Sequence, residues 1–108
     1  MAKYLTMGTY TSAAWAARIA EPRNRIDVVK PLFEKLSGSI ESAYLAFGSA
    51  DLVCIVEMPD NVSAAAVGMA FAAGGAIDNL QTTPLISIED GVAAMKKAAE
   101  ISYTPPGR

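Results

Sequence analysis

The run Leu52-Val53-Cys54-Ile55-Val56-Glu57-Met58 constrains this chain more than any other segment. Successive side chains of a strand point to opposite faces, so Leu52, Cys54, Val56 and Met58 share one face while Val53 and Ile55 share the other. Both faces are apolar. Residues 3–10 repeat the pattern more weakly, with Leu5 and Met7 opposed to Tyr4 and Thr6. A sheet with one wet face alternates apolar with polar side chains; strands like these require cover on both sides. A chain of 108 residues supplies one core with which to do it.

The order of elements decides what can provide that cover. Residues 3–10 read as a strand, and Thr11-Ser12 opens a short Ala-rich helix to about Ala20, with Trp15 and Ile19 on one face. Pro22 closes it. Ile26, Val29, Phe33 and Leu36 recur at helical spacing, and Gly38 is expected to be the left-handed residue that ends this second helix. Pro31 lies inside it, where it deletes the bond to the Asp27 carbonyl, so a kink or break is expected there. Strands over residues 39–47 and 51–58, joined by Gly48-Ser49-Ala50, form an antiparallel hairpin. Asp60 or Asn61 caps a helix over residues 62–73, Gly74-Gly75 ends it, and residues 77–86 return to a strand. Ser87, with Asp90 three residues on, opens a final helix to about Glu100. The domain thus runs over residues 1–100, followed by a Pro-rich extended tail over 101–108.

This is a βαββαβ order with a trailing helix. Right-handed crossovers put its helices on the same side of one four-stranded antiparallel sheet, the α+β topology called ferredoxin-like. Helices of one chain then shelter one face only. An apolar patch of several hundred Å² on the other face is more than monomers usually expose, and a second copy of the chain covers it most economically.

Composition removes whole classes of chemistry. Nine basic residues against eleven acidic ones, net charge −2, leave no electrostatic footprint for nucleic acid. The chain contains no histidine and one cysteine, Cys54. Ser-His-Asp and Cys-His nucleophiles, His-ligated haem and ordinary zinc sites are therefore excluded, and neither a metal nor another cofactor is expected. A single cysteine and the absence of a signal-peptide pattern point to the cytoplasm. Residues 62–77 carry no charge, but they are shorter than the roughly 20 residues that span a bilayer, so no membrane partner is expected. Asn61-Val62-Ser63 matches a glycosylation sequon and is better explained as the polar start of a helix.

Further likeness lies in Lys3-Tyr4-Leu5 leading to Gly8-Thr9-Tyr10-Thr11, in Phe47-Gly48-Ser49-Ala50-Asp51-Leu52-Val53, in Val56-Glu57-Met58-Pro59-Asp60-Asn61 and in Thr82-Thr83-Pro84-Leu85. On these residues the chain resembles the GYD-domain proteins, a family within the dimeric α+β barrel group. Gly48 and Asp51 keep the namesake motif, while Ala50 stands where its tyrosine would be. The resemblance implies a homodimer with sheets packed face to face and a pocket between sheet and helices. It implies no particular reaction.

The candidate site residues each have an ordinary structural explanation beside the functional one. Asp51, at a strand start, is placed to move a ligand proton or to bond the turn backbone. Glu57 interrupts an apolar face, where desolvation would suit it to acid–base work, or it pairs with a nearby cation. Tyr4, Tyr10, Tyr44 and Trp15 present polar tips on apolar bodies, which suits a small aromatic or acyl ligand as well as a core. Arg18 is positioned on the short helix to clamp a carboxylate or simply to meet solvent. Cys54, mid-strand, reads as an inert small hydrophobe. In the helix over 62–73, Val62 and Met69 fall on one side and Val67 and Phe71 on the other; the trailing helix or a further subunit must cover the outer stripe. The leading function class is a homo-oligomeric small-molecule-binding or accessory protein. A cofactor-independent enzyme, isomerase or monooxygenase-like, using Glu57 or Asp51 comes next, followed by a structural assembly protein.

Overall fold

A computed structural model describes residues 1–107. Its elements are β1 (Ala2–Tyr10), α1 (Ser12–Ala20), α2 (Arg25–Lys35), β2 (Ser39–Leu45), β3 (Leu52–Met58), α3 (Asn61–Ala73), β4 (Ile77–Leu85) and α4 (Ile88–Glu100). Every helix begins on a side-chain cap. Thr11 accepts from the Ala14 N–H, Asn24 from Ile26, Asp60 from Ser63 and Ser87 from Asp90, each satisfying one of the donors a helix start leaves open. Asn61 is the first residue of α3, and its side-chain oxygen accepts from the Tyr4 hydroxyl at 2.6 Å.

The four strands form one antiparallel sheet in the order β2-β3-β1-β4, the ferredoxin-like arrangement with its first helix divided into α1 and α2. Register pairs Tyr4 with Val56 and Thr6 with Cys54 on the helix-covered face, and Leu5 with Ile55 and Met7 with Val53 on the other. β4 accommodates an extra residue opposite Gly8, with Asn79 at φ 51°, a bulge of the kind that bends an edge. The core consists of Tyr4, Cys54, Val56 and Met58 from the sheet, packed against Phe33 of α2 and Ala64 and Val67 of α3. Phe71 joins it through a tilted contact with Phe33, ring centroids 5.9 Å apart.

Three expectations change. The break expected at Pro31 does not occur, and α2 is continuous through it; both Pro31 and Asp27 are exposed, so the carbonyl that proline leaves without a partner is on the water side. The left-handed residue after α2 is Ser37, φ 61°, not Gly38. Together they complete a Schellman closure, Gly38 N–H to Phe33 O at 2.8 Å and Ser37 N–H to Glu34 O at 3.0 Å. Gly38 answers a different demand: a Cβ there would run into the Met58 thioether and come within 2.7 Å of the Glu57 carbonyl oxygen. Finally, α4 does not shelter α3. None of its residues is buried, Val62 and Met69 on the outer stripe of α3 stay 79% and 71% exposed, and Ile88, Val92 and Met95 form an open apolar stripe along α4 itself. The radius of gyration, 17.5 Å, exceeds the ~13 Å of a compact chain of this length, because α4 projects from the body. No helix among the described residues is long and apolar enough to cross a membrane.

Candidate functional site

The layer between sheet and helices is filled: two gaps within it hold about 10 and 20 Å³, no more than a water's worth of space. Open volume lies at the end of that layer instead, where Pro22 ends α1 and the chain turns into α2. A cleft of about 600 Å³ there is walled by Trp15, Arg18 and Ile19 of α1, by Arg25 and Ile26 at the start of α2, and by Tyr10 and Leu52 at the sheet. A second lobe of about 410 Å³ shares Tyr10, Arg18, Arg25, Ile26 and Leu52, and continues past Val29 to Phe71. Both fall within the size range of sites for small organic molecules.

Asp51 ties the cleft wall together. Its Oδ2 accepts from the Tyr10 backbone N–H at 2.9 Å and from the Trp15 indole Nε1–H at 3.3 Å, while its own N–H donates to the Gly8 carbonyl at 2.9 Å. The first residue of β1–α1 chain reversal and the α1 tryptophan are thereby fastened to the start of β3. Trp15 meets Tyr10 edge to face, ring centroids 5.2 Å apart, a favoured aromatic geometry. Burial pushes the Tyr10 phenol up, against the opposing pull of the Arg18 and Arg25 guanidinium groups.

The structure thus gathers Tyr10, Trp15, Arg18 and Tyr44 around one opening, with Tyr44 at its β2 rim. Tyr4 lies elsewhere: it is 1% exposed in the core, with its hydroxyl spent on Asn61. Glu57 sits on the sheet face away from the helices, opposite Lys3, whose ammonium is 3.9 Å from it and 2.8 Å from Glu41. Glu57 lies six residue steps from Asp51 along extended chain, about 20 Å, so the two carboxylates do not form a pair. Burial pushes the Cys54 thiol up, as befits a hydrophobe rather than a nucleophile. Among the described residues no cluster of metal-binding side chains occurs.

Arg25, Ile26 and Leu52 are cleft residues that sequence patterning did not single out. Ile26 and Leu52 carried only a core signal, and Arg25 follows a helix cap, a position with no functional mark. Their convergence depends on the angle between α1 and α2, which the Pro22 break permits without fixing.

No curated protein and no solved structure matches the chain. The model of the GYD domain matches residues 4–95, from β1 into α4 and across the whole cleft. The chain belongs to the GYD domain family.

Proposed function

We propose that this chain is a homo-oligomer, at minimum a homodimer, that holds a small organic molecule in the cleft between α1, α2 and the sheet. The cleft is the observation that carries the binding reading: about 600 Å³, mostly apolar, with a tryptophan, two tyrosines and arginines placing polar tips at its edge. Two surfaces support self-association. The sheet face away from the helices carries Leu5, Met7, Val53 and Ile55 as adjacent cross-strand pairs, and α4 has an apolar stripe with no counterpart in its own subunit. A twofold partner supplies cover for both from identical surfaces. The polar side of α4 holds Glu89, Asp90 and Glu100 against Lys96 and Lys97, a balance that disfavours an anionic lipid surface. A buried, unpaired Cys54 suits a reducing compartment, and we place the protein in the cytoplasm.

The catalytic alternative has less behind it. Asp51 is engaged by two N–H donors and Glu57 lies at the far end of β3 beside Lys3. If the protein is nevertheless a cofactor-independent enzyme, Asp51→Asn and Glu57→Gln must alter turnover.

Native mass spectrometry tests the binding reading and the assembly together. The expected spectrum shows an even multiple of the 11.3 kDa chain, with a retained mass of a few hundred daltons or with uptake of one small aromatic ligand per chain. Monomers that take up nothing would contradict it.

A further inference from the structure

The geometry points to an organic anion as the cleft's ligand: a carboxylate or similar monoanionic head held between Arg18 and Arg25, with an aromatic or branched apolar body against Trp15, Ile19 and Ile26. This rests on the cleft being the binding site. Arg18 and Arg25 line both lobes, and both are half-buried. Neither takes part in an ion pair among the described residues, whereas Arg23 at the rim is paired with Glu21. No acidic side chain lines either lobe. Asp51, the carboxylate next to Leu52 in the wall, is already taken by the Tyr10 N–H and the Trp15 indole.

Two guanidinium groups are therefore drawn partly out of water with no counter-charge. A neutral ligand would deepen that desolvation without relieving it. An anionic head relieves it, and the planar fork of arginine matches a carboxylate with paired, charge-assisted hydrogen bonds. The charge requirement is also limited. Arg23 and Asn24 also line the larger lobe, but Arg23 is neutralised by Glu21; the two guanidinium groups left without a counter-charge match one anionic head, not the string of phosphates on a nucleotide. The Tyr10 phenol, toward which both arginines exert their pull, is available as one more donor.

A matched pair of probes separates charge from shape: 1-anilinonaphthalene-8-sulfonate and its neutral counterpart N-phenyl-1-naphthylamine differ by the anionic group. The full-length protein is titrated with each, following probe emission and energy transfer from Trp15, the single tryptophan of the chain. The sulfonate is expected to bind about tenfold more tightly or better, the worth of one net charge-assisted contact, and to lose that advantage as salt rises. Arg18→Gln with Arg25→Gln should abolish the preference, bringing the sulfonate's affinity down to that of the neutral probe for the same variant; each single change should remove part of it. Melting curves check that the variants fold. Equal affinities in the unaltered protein, or a preference that survives the double substitution, overturn the anion inference while leaving the cleft reading standing. Ile19→Asp, at an exposed wall position, should weaken both probes. If neither probe binds, or if the neutral probe ignores Ile19→Asp, the cleft itself is not the site, and both readings fall.

Discussion

Replacing Asp51 by alanine strikes the joint that holds the cleft together. The carboxylate accepts from the Tyr10 backbone N–H at 2.9 Å and from the Trp15 indole at 3.3 Å. Its removal leaves both donors without an acceptor. A net hydrogen bond to a charged acceptor contributes about 1.5–3 kcal/mol; the longer, half-exposed indole bond belongs at or below the bottom of that range. The sum expected is about 2–4.5 kcal/mol. For a domain of this length, about 1 kcal/mol moves Tm by roughly 4–8 °C, so the variant should melt roughly 10 °C or more below the parent. The assay is thermal unfolding by circular dichroism at fixed protein concentration, because an oligomer's Tm moves with concentration. Trp15 emission reports the same event locally: freed from Asp51, the indole should become more mobile and more readily quenched by iodide. Asp51→Asn keeps an acceptor oxygen and should lose about half as much. A melting point within a degree or two of the parent, or a loss with no change at Trp15, would refute the assignment of Asp51 as the fastening of the wall.

Met95 is 71% exposed on α4, so Met95→Asp should leave the subunit's fold intact. Burying the rest of that side chain in a twofold interface contributes about 1–2 kcal/mol per copy, and its loss from both copies should weaken association roughly 30-fold or more, read by dilution in analytical ultracentrifugation. At the end of α2, Ser37→Gly should raise stability by about 0.5–1 kcal/mol because a left-handed residue gains nothing from a side chain. Gly38→Ala should do the opposite by about 1–3 kcal/mol through its collision with Met58 and the Glu57 carbonyl; chemical denaturation ranks the two. In alkali, Cys54 and Tyr10 both have folded-state values raised by burial. The folded protein holds those protons more tightly than the unfolded chain, so their stabilisation is complete below the ordinary range and is lost as pH rises through the raised one. Melting temperature should decline from about pH 8.5 upward, and Cys54→Ala should remove the earliest part of the decline.

The backbone plan was legible because its punctuation is chemical. Thr11, Asp60 and Ser87 are cap residues placed just ahead of helical periods, and Gly48-Ser49-Ala50 leaves room for little but a hairpin; the Asn24 cap of α2 is seen only in the structure. The alternation in β3 told which side chains would share a face. What it did not tell was how far each would be used: Tyr4 looked like a ligand contact and is a core residue bonded to Asn61, since a tyrosine's apolar body and polar tip serve either setting equally well. The left-handed position after α2 fell on Ser37 because glycine's lack of a Cβ was needed one residue later, against Met58. The cleft was half visible. Trp15, Arg18 and Tyr10 carried suitable chemistry, but Leu52 joins them through the pairing of β3 with β1, and Arg25 through the turn at Pro22, a tertiary angle with no local signature. The placement of α4 was the least legible feature: its amphipathic pattern says that one face needs cover, not whose surface supplies it.

The need for that outside cover underlies the account, and the mass of the folded particle in solution measures it. Sedimentation equilibrium at low micromolar concentration should find at least two 11.3 kDa chains travelling together, with dissociation accompanied by loss of structure in α4. A well-folded single chain of 11.3 kDa, with α4 helical, would contradict it.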